Sequence, residues 1–426
     1  HRIQGGVAEE RSFSFDAEAA VRAMVFGRIL EPSSDRGVLR WVEQVYEPDW
    51  NGLQLQHLYR SLDFLSQAKE LIEARLLGVL TGRLLADVRL VLMDTTSVYF
   101  EGEGADSLAA FGYSRDRRRD RRQFVLGLLT SREGFPLAHA LFPGNTSDLV
   151  AMRAGIEHVR RSLPVSELVL VADRGMVSEE NLRALEEAGI RYIVGSRLRR
   201  LAARGALARA GRYKVVSDNL RVKEVWLGDK RYIVCLNPEE AERDRKEREG
   251  MVAHLEEQIA HGAKALLKGV ARRYLRVEGG KVSLNRSRIA EDAKYDGKWV
   301  LLTTSNLPPE EIALSYKGLW RVERAFRTLK TPLEIRPVYH WTENRVRGHV
   351  MVCVLAYLLE RLLEHLLEKA AADLSAPEAL HALSGIRVAE LELGPERHRY
   401  VTRLTQEQQT LLAKLGIESP PRVFQR

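Results

Sequence analysis

The sequence has few cysteines, no long hydrophobic run and no phosphate-binding loop, and each absence excludes a class of protein. Only Cys235 and Cys353 are present among 426 residues, which excludes a cysteine-based zinc site and favours a reducing cytoplasm. The longest apolar run, VMVCVLAYLL at residues 350–359, is too short to span a bilayer and predicts a core helix. Because the chain contains no GxxxxGK[ST] motif, we expect no nucleotide cofactor.

The start and the composition of the chain narrow the class further. The chain opens HRIQGG, with neither Met nor an apolar signal segment, so it gives no export signal and its start looks trimmed. We find no internal repeat and no low-complexity tract. With 45% hydrophobic residues, the chain predicts a soluble globular protein with an ample core in two or three structural units.

Positive charge is concentrated in particular segments. The net charge is +8 with an isoelectric point near 9.4, which favours a polyanionic partner. Residues 115–123, RDRRRDRRQ, hold six arginines and two aspartates, among them Arg118 and Arg122. Residues 195–214 hold seven bases and no acid, among them Arg199 and Arg200. Such runs are often solvated loops, but two of them in one chain favour binding to a nucleic-acid backbone.

Hydrophobic patterning predicts helices first and then a mixed sheet. Residues 12–83 show helical spacing throughout, with a Ser/Asp cap before the second helix. From RLVLMDTTSVYF at 89–100 onward, the patterns predict three strands, a helix, a strand, a helix and a strand, which is a mixed α/β fold. Asp94 and Asp173 fall at or near the ends of hydrophobic strands, where ligand chemistry is usually placed. Asp173 is equally typical of a plain turn before Arg174 and Gly175.

The pattern breaks between residues 196 and 300. A basic linker precedes a hairpin that turns at Gly228 and Asp229, followed by a highly charged helical stretch and a strand near 296–305. This break resembles an inserted subdomain. A long amphipathic helix follows in residues 344–371, and a polar C-terminal tail carries one more short helix, TQEQQTLLAKLG.

One acid lies among five bases in YKGLWRVERAFRTLK, residues 316–330. On a helical wheel Glu323 lies at the edge of the apolar stripe, and Tyr316 and Lys330 lie about two turns before and after it. Taken alone, this pattern favours a salt-bridged helix border. Together with Asp94 and Asp173, however, Glu323 completes a set of three carboxylates, which would repel each other unless a cation lay among them. Hard ions such as Mg²⁺ or Mn²⁺ take oxygen ligands, and two of them can promote phosphodiester chemistry.

Five ordered segments carry a family resemblance: VLMDTTSVYFEG, FGYSRDRRRDRRQ, FPLAHALFPGNTSD, LVLVADRGMVSEENLRAL and YKGLWRVERAFRTLK. The chain resembles, from about residue 25 to 370, the DDE transposases of bacterial insertion sequences, specifically insertion-sequence family four and its relatives. The resemblance implies an RNase H-like mixed sheet core interrupted by a β-rich insertion, with a helical N-terminal DNA-binding domain and a helical C-terminal region. The implied boundaries are 1–85 for the N-terminal domain, 86–195 and 301–370 for the two parts of the core, 196–300 for the insertion and 371–426 for the tail.

The resemblance also implies residue functions. Asp94, Asp173 and Glu323 match the catalytic, metal-binding triad, with two Mg²⁺ or Mn²⁺ ions expected. The family's Tyr-Arg-Glu-Lys signature maps onto Tyr316, Leu319, Glu323 and Lys330, so a leucine stands at the arginine position. Arg321 or Arg327 is an alternative source of that charge. The expected contacts to DNA are made by Tyr316, Lys330, Arg321, Arg327, Arg174, Arg118, Arg122, Arg199, Arg200, Trp226 and Trp299.

The tryptophans and the GNTSD segment each allow a structural and a functional interpretation. Trp226 or Trp299 could stack on a flipped base, as the family's insertion allows, although core packing is the simpler reading of both. GNTSD at 144–148 is typical of a turn, whereas the resemblance places Asn145 and Asp148 at the border of the site. Thr96 and His349 are expected to support the site. His139 and His340 are expected to be structural.

The function predicted from these observations is DNA transposition. The protein would bind terminal inverted repeats of its element, hydrolyse a phosphodiester and join the freed 3′-OH to target DNA, with excision through a hairpinned end as one route. The expected partners are double-stranded DNA and a second subunit in a homodimer, in the bacterial cytoplasm at the nucleoid, with no membrane. The alternatives are an RNase H-like nuclease that cuts without joining and a DNA-binding protein that has lost catalysis. A phosphatase using the DTT at 94–96 is disfavoured, because Thr96 stands where that chemistry needs a second Asp.

Overall fold

The computed structural model describes residues 13–85, 88–162, 168–196, 201–260, 270–278, 281–393 and 396–424. The chain divides into two compact units. Unit 1 comprises His1–Val88, Met93–Pro164 and Trp320–Arg426, and unit 2 comprises Arg89–Leu92 and Val165–Leu319.

Unit 1 begins with a set of helices, as the sequence predicted. They are α1 (Ala17–Leu30), α2 (Asp35–Val42), α3 (Leu55–Gln67) and α4 (Lys69–Arg83). The Asp16 side chain caps α1 by accepting a hydrogen bond from the Ala19 amide, and Ser34 caps α2 in the same way. The helical pattern over 53–80 is divided at Ala68 into two helices, α3 and α4.

The central elements of unit 1 are β1 (Leu90–Tyr99), β2 (Gln123–Ser131), β3 (Pro136–Pro143) and α5 (Asp148–Ser162). The strand order in this unit is β3-β2-β1, and β2 is buried along its whole length. Strands β2 and β3 are antiparallel and are joined by a short turn at Arg132 to Gly134. Strand β1 passes through the boundary between the units, which falls between Leu92 and Met93.

Unit 2 contains the remaining strands of the sheet. Its elements are β4 (Val169–Ala172), α6 (Glu179–Glu187), β5 (Arg191–Ser196), α7 (Leu201–Ala208), β6 (Lys214–Ser217), β7 (Leu220–Leu227), β8 (Lys230–Leu236), α8 (Pro238–Ala260), β9 (Leu275–Glu278), β10 (Lys281–Leu284), α9 (Arg286–Ala293), β11 (Lys298–Thr303) and α10 (Pro309–Lys317). The strand order in this unit is β1-β4-β5-β11-β8-β7-β6. Strands β4 and β5 are parallel, and β11 is antiparallel to both β5 and β8. Strands from the predicted insertion therefore extend the same sheet, and the hairpin between β7 and β8 turns at Gly228, whose φ is +62°.

The mixed α/β class is confirmed. The parallel pair β4 and β5 is connected through α6, whereas β2 and β3 form an antiparallel hairpin. The order β3-β2-β1 in unit 1, with β1 followed by β4 and β5 in unit 2, is consistent with an RNase H-like core.

The C-terminal part of unit 1 contains α11 (Trp320–Lys330), α12 (Glu343–Lys369), α13 (Ala376–Ser384), β12 (Val388–Leu393), β13 (Glu396–Val401), α14 (Gln406–Lys414) and β14 (Val423–Phe424). Helix α12 packs against α1 and α3, and the apolar run of residues 350–359 lies in its buried part, as predicted. The tail was predicted to carry one short helix. It also forms α13 and a three-stranded sheet ordered β12-β13-β14.

The prediction of one continuous helix over residues 316–330 was wrong. Helix α10 ends at Lys317, with Gly318 as its C-cap, and α11 begins at Trp320. Glycine disfavours a helix interior because it loses more backbone entropy than other residues. Tyr316 and Lys330 therefore lie on different helices, and the boundary between the units falls between Leu319 and Trp320.

Among the helices that the structure describes, none is long and apolar enough to cross a membrane.

Candidate active site

Asp94 lies within strand β1. The prediction that this aspartate lies at or near the end of its strand was wrong, because β1 continues through Tyr99. The Asp94 side chain is 19% exposed, and its Oδ1 accepts a hydrogen bond of 2.7 Å from the amide of Thr95. The carboxylate is thus only partly accessible and is oriented by its own strand.

Arg115 connects Asp94 with Asp148. The Arg115 Nη1 atom lies 3.7 Å from Asp94 Oδ1, and Nη2 lies 3.2 Å from both oxygens of Asp148. The same guanidinium donates to the carbonyl and to the hydroxyl of Thr95, and the Thr95 hydroxyl donates to Asp148. Two acids therefore share one cation in unit 1.

A cleft of about 330 Å³ lies beside this cluster. Hydroxyl and amide groups dominate its lining, which includes Thr95, Thr96, Ser97, Asn145, Thr146, Ser147, Tyr113, Arg115 and Asp148. Thr96 is buried and Asn145 is exposed. The residues predicted to support the site around GNTSD thus border one cleft with Thr95 and Arg115.

Asp173 directly follows strand β4, as the sequence predicted. The Tyr316 hydroxyl, on α10, donates a hydrogen bond of 2.9 Å to Asp173 Oδ1. Burial and the neighbouring Asp173 carboxylate raise the pKa of Tyr316, so the phenol stays protonated and remains a donor. Within unit 2, Tyr316 therefore orients the Asp173 carboxylate.

Glu323 is exposed in the first turn of α11. Val322, Ala325, Phe326 and Leu329 are buried, which confirms the apolar stripe that the sequence predicted beside it. Within the described ranges, no lysine, arginine or histidine lies within 4.0 Å of the Glu323 carboxylate, whereas its neighbour Arg324 pairs with Glu364. The salt-bridged border expected from this helix alone is not formed by Glu323.

Lys330 is buried at the end of α11. Its Nζ lies 3.1 Å from both oxygens of Asp116, and Arg336 Nε lies 3.0 Å from the same carboxylate. Burial lowers the pKa of Lys330, although Asp116 acts in the opposite direction. The lysine of the signature is therefore engaged in an internal ion pair.

The expected DNA contacts differ in exposure. Arg174 and Arg327 are exposed, whereas Arg321 is half-buried with its guanidinium 5.0 Å from the Trp320 ring. Burial and the nearby Arg132 lower the pKa of Arg321. Arg118 pairs with Asp120 at 2.9 Å, and Arg122 pairs with Glu103 at 3.0 Å. Arg199 and Arg200 lie outside the described residues.

Trp226 and Trp299 also differ in exposure. Trp226 is 57% exposed and lines a cleft of about 450 Å³ in unit 2, so it does not pack in a core. Trp299 is half-buried on β11, opposite Cys235 of β8. Leu319, at the arginine position of the signature, is half-buried.

The histidines lie in structural environments. His349 is buried on α12 and its Nε2 donates to the carbonyl of Ile335 at 3.0 Å. Burial and the charge of Arg28 lower the pKa of His349, which keeps the ring neutral. His139 contacts Glu73 at 2.9 Å and His340 contacts Asp35 at 3.4 Å.

Arg115 and Asp116 are two site residues that sequence reasoning did not identify individually. They lie in the arginine run, where they looked like members of a charged loop. The signal was the pair of aspartates within that run, since an acid among bases marks an internal ion pair as readily as a solvated surface.

A metal site is not assembled within the described ranges: no group of three or more His, Cys, Asp or Glu side chains lies close enough to hold an ion. The donor chemistry nevertheless fits a hard divalent ion, because Asp94, Asp173 and Glu323 offer only carboxylate oxygens. Asp94 and Glu323 belong to unit 1 and Asp173 to unit 2.

Fold and site define a mixed α/β protein whose candidate acids lie among arginines and hydroxyl groups. A family model described as the transposase DDE domain matches residues 86–359, a range that includes Asp94, Asp173 and Glu323. The chain belongs to this family, and its class is that of DNA transposases. The expectation of a DDE transposase is therefore confirmed, whereas insertion-sequence family four stays a prediction.

Solved structures give weaker similarities. A piggyBac transposase synaptic complex with hairpin DNA is 9% identical, with a TM-score of 0.44, over 90% of this chain and 73% of that chain. A Mos1 transposase paired-end complex with a left transposon end is 11% identical, with a TM-score of 0.19, over 46% of this chain and 61% of that chain. A pre-cleavage Mos1 transpososome is 10% identical, with a TM-score of 0.18. No curated protein matches the chain.

Proposed function

We propose that the protein binds the terminal inverted repeats of a bacterial insertion sequence of family four or its relatives and transposes that element. Asp94, Asp173 and Glu323 would be the catalytic acids. A phosphodiester at the element end would be hydrolysed, and the freed 3′-OH would then attack a phosphodiester of the target DNA. The membership in the transposase DDE domain family supports the reaction class.

The state of Glu323 is the observation that carries this proposal. Its carboxylate is exposed and has no cation within salt-bridge distance among the described residues, although Arg321, Arg324 and Arg327 lie on the same helix. A surface acid that only balanced these bases would be paired with one of them. An acid that is needed to bind a metal ion would be left accessible.

Two divalent ions, Mg²⁺ or Mn²⁺, would be held by these three carboxylates. When bound, such ions activate an attacking oxygen and stabilise the leaving oxygen of a phosphodiester. The chain supplies the orientation of the ligands. The Thr95 amide holds Asp94, and the Tyr316 hydroxyl holds Asp173.

Exposed bases would hold the DNA backbone. Arg327 replaces the missing signature arginine better than Arg321 does, because Arg327 is exposed whereas Arg321 is half-buried against Trp320. Lys330 would reach a phosphate only after its pair with Asp116 opens. Trp226 is exposed enough to stack on a base.

Two further features complete the proposal. A homodimer would hold both element ends in a synaptic complex. A hairpinned end is one route of excision, and the place of action would be the nucleoid in a bacterial cytoplasm.

A cleavage and joining assay tests the proposal. Purified protein is incubated with labelled element-end DNA, target DNA and Mg²⁺, and cut and joined products are separated on a gel. Glu323→Gln should reduce cleavage by more than about 100-fold, because a ligand is lost while shape is kept. Glu247→Gln is the matched control, since Glu247 is exposed on α8, and it should cut normally.

Two other results of this assay would each support an alternative function. Cleavage without any joined product would make the protein a nuclease. Binding of element ends without metal-dependent cleavage by the wild type would make it a DNA-binding protein that has lost catalysis.

A further inference from the structure

Arg115 has a fixed place between two acids. Its Nη2 lies 3.2 Å from both oxygens of Asp148, and its Nη1 lies 3.7 Å from Asp94 Oδ1. Two carboxylates brought this close to one point repel each other, and the guanidinium between them offsets that repulsion. Arg115 therefore bridges the two carboxylates within unit 1.

Strand β1 itself holds the guanidinium in position. Arg115 donates to the carbonyl of Thr95 and, at 3.0 Å, to the Thr95 hydroxyl, while the Arg115 amide donates to Ser97 Oγ at 2.9 Å. The Arg115 side chain is itself 33% exposed, so hydrogen bonds and not burial hold it in place. Arg115 is thus held at the site by its contacts with Thr95 and Ser97.

We propose that Arg115 is a counter-ion shared by Asp94 and Asp148, and that it competes with a divalent ion for Asp94. This inference rests on the proposed function, in which Asp94 is a metal ligand. Arg115 is a positioning residue in this scheme, because it acts through the two carboxylates.

The two distances suggest how the competition is resolved. The contact with Asp148 is bidentate and close, whereas the contact with Asp94 is single and long. Arg115 can therefore release Asp94 and stay with Asp148 and Thr95. Since only the weaker contact is lost, the effect on metal affinity should be moderate.

Binding of Mn²⁺, measured by electron paramagnetic resonance or calorimetry on the full chain without DNA, tests this inference. Arg115→Gln should bind Mn²⁺ about three- to tenfold more tightly than the wild type, because a cation next to Asp94 has been removed. Arg119→Gln is the matched control, since it removes the same charge from an exposed position of the same run, and its affinity should stay within about twofold. Asp94→Asn should lose the binding.

The outcomes separate this inference from the proposed function. If Asp94→Asn binds Mn²⁺ as the wild type does, Asp94 is not a ligand and the proposed function fails at that residue. If Asp94→Asn loses binding but Arg115→Gln binds no more tightly than the wild type, only the counter-ion inference is overturned. Equal gains in Arg115→Gln and Arg119→Gln would also overturn it, because the effect would then be one of overall charge.

A second measurement avoids the need for a folded Arg115→Gln variant. The side-chain NMR signal of Arg115 in the wild type, assigned by its loss in Arg115→Lys, should shift as Mg²⁺ is added, with the midpoint found by calorimetry. A signal that stays unchanged at saturating Mg²⁺ would contradict the proposal.

Discussion

Gly195 is packed so closely against Tyr316 that no larger residue fits. A Cβ at this position would lie 2.3 Å from the Tyr316 hydroxyl oxygen and 3.2 Å from Arg174 Cβ. Gly195→Ala should therefore displace Tyr316 and destabilise the fold by about 1–3 kcal/mol, measured by urea unfolding. Because the same hydroxyl holds Asp173, cleavage should fall with it.

Two variants control this prediction. Gly78→Ala lies in α4 with no atom within 4 Å of the new Cβ, and it should be neutral or stabilising by about 0.5–1 kcal/mol. Tyr316→Phe removes the clashing oxygen, so the double variant should lose less stability than the sum of both single variants. Full additivity would show that the predicted clash does not exist.

Asp116 pairs with one buried and one half-buried cation. Its side chain is 13% exposed and contacts Lys330 and Arg336, whose side chains are 10% and 23% exposed. Asp116→Asn should cost about 2–4 kcal/mol of unfolding free energy, because both cations lose their counter-ion in a poorly hydrated place. The measurement is urea unfolding near neutral pH.

Asp120→Asn is the matched control in the same arginine run. The Asp120 side chain is 62% exposed where it pairs with Arg118, so its removal should leave stability almost unchanged. Equal losses in both variants would show that the run acts as one charged surface and that Asp116 has no special place in it.

The residue types of the site could be predicted from the sequence, but their partners could not. Asp94, Asp173 and Glu323 were identified because acids stood beside apolar strands or on an apolar helix border. Asp94 and Asp148 share Arg115 through two contacts, between positions 21 and 33 residues apart, which no local pattern encodes. Lys330 was expected to contact a phosphate because its partner could not be seen in the local sequence. That partner, Asp116, lies 214 residues away in the chain.

At the scale of elements, Glu360 is a buried acid on α12. It lines a cleft of about 350 Å³ between α11, α12 and the β2–β3 turn, close to Glu364. Burial and the negative charge of Glu364 raise the pKa of Glu360 from 4.5 to about 7. The folded protein therefore keeps a proton between pH 4.5 and 7 that the unfolded chain releases.

This difference predicts how stability depends on pH. Because the folded state binds the extra proton, the contribution of Glu360 is present below pH 4.5, is lost as pH rises and levels off above about pH 7. Glu360→Gln is neutral at every pH, so it should exceed the wild type by about 1–3 kcal/mol at pH 8 and by much less at pH 5. Urea unfolding at four pH values between 5 and 8 measures this.

Glu368→Gln controls for the ion cluster on the same helix. Glu368 is 60% exposed and pairs with Arg361, so its loss should not remove the pH dependence. A gain in Glu360→Gln that is the same at pH 5 and pH 8 would contradict the raised pKa.

Most helices and strands could be predicted from the hydrophobic periodicity and the capping residues. The predictions that were wrong or missing have physical causes. The prediction of a continuous helix through residue 318 was wrong because a helical wheel treats glycine like any other residue. In the structure α10 ends at Lys317, with Gly318 as its C-cap. The hairpin of β12 and β13 was missed because its residues are mostly polar or exposed, so the alternation that marks a half-buried strand is weak. The pairing of β11 with both β5 and β8 joins segments far apart in the chain.

At the scale of the whole molecule, the net charge of +8 predicts binding to DNA that weakens steeply with salt. Each phosphate contact contributes about −0.9 to the slope of log affinity against log salt concentration. Arg327→Gln should therefore reduce the magnitude of this slope by about one, because the exposed Arg327 is proposed to hold one phosphate. Fluorescence titrations of element-end DNA at several salt concentrations measure the slope. Arg243→Gln removes the same charge from α8, where Arg243 is 70% exposed and paired with Glu240, and should leave the slope unchanged. Equal changes in both variants would mean that overall charge, and no particular contact on α11, sets the affinity.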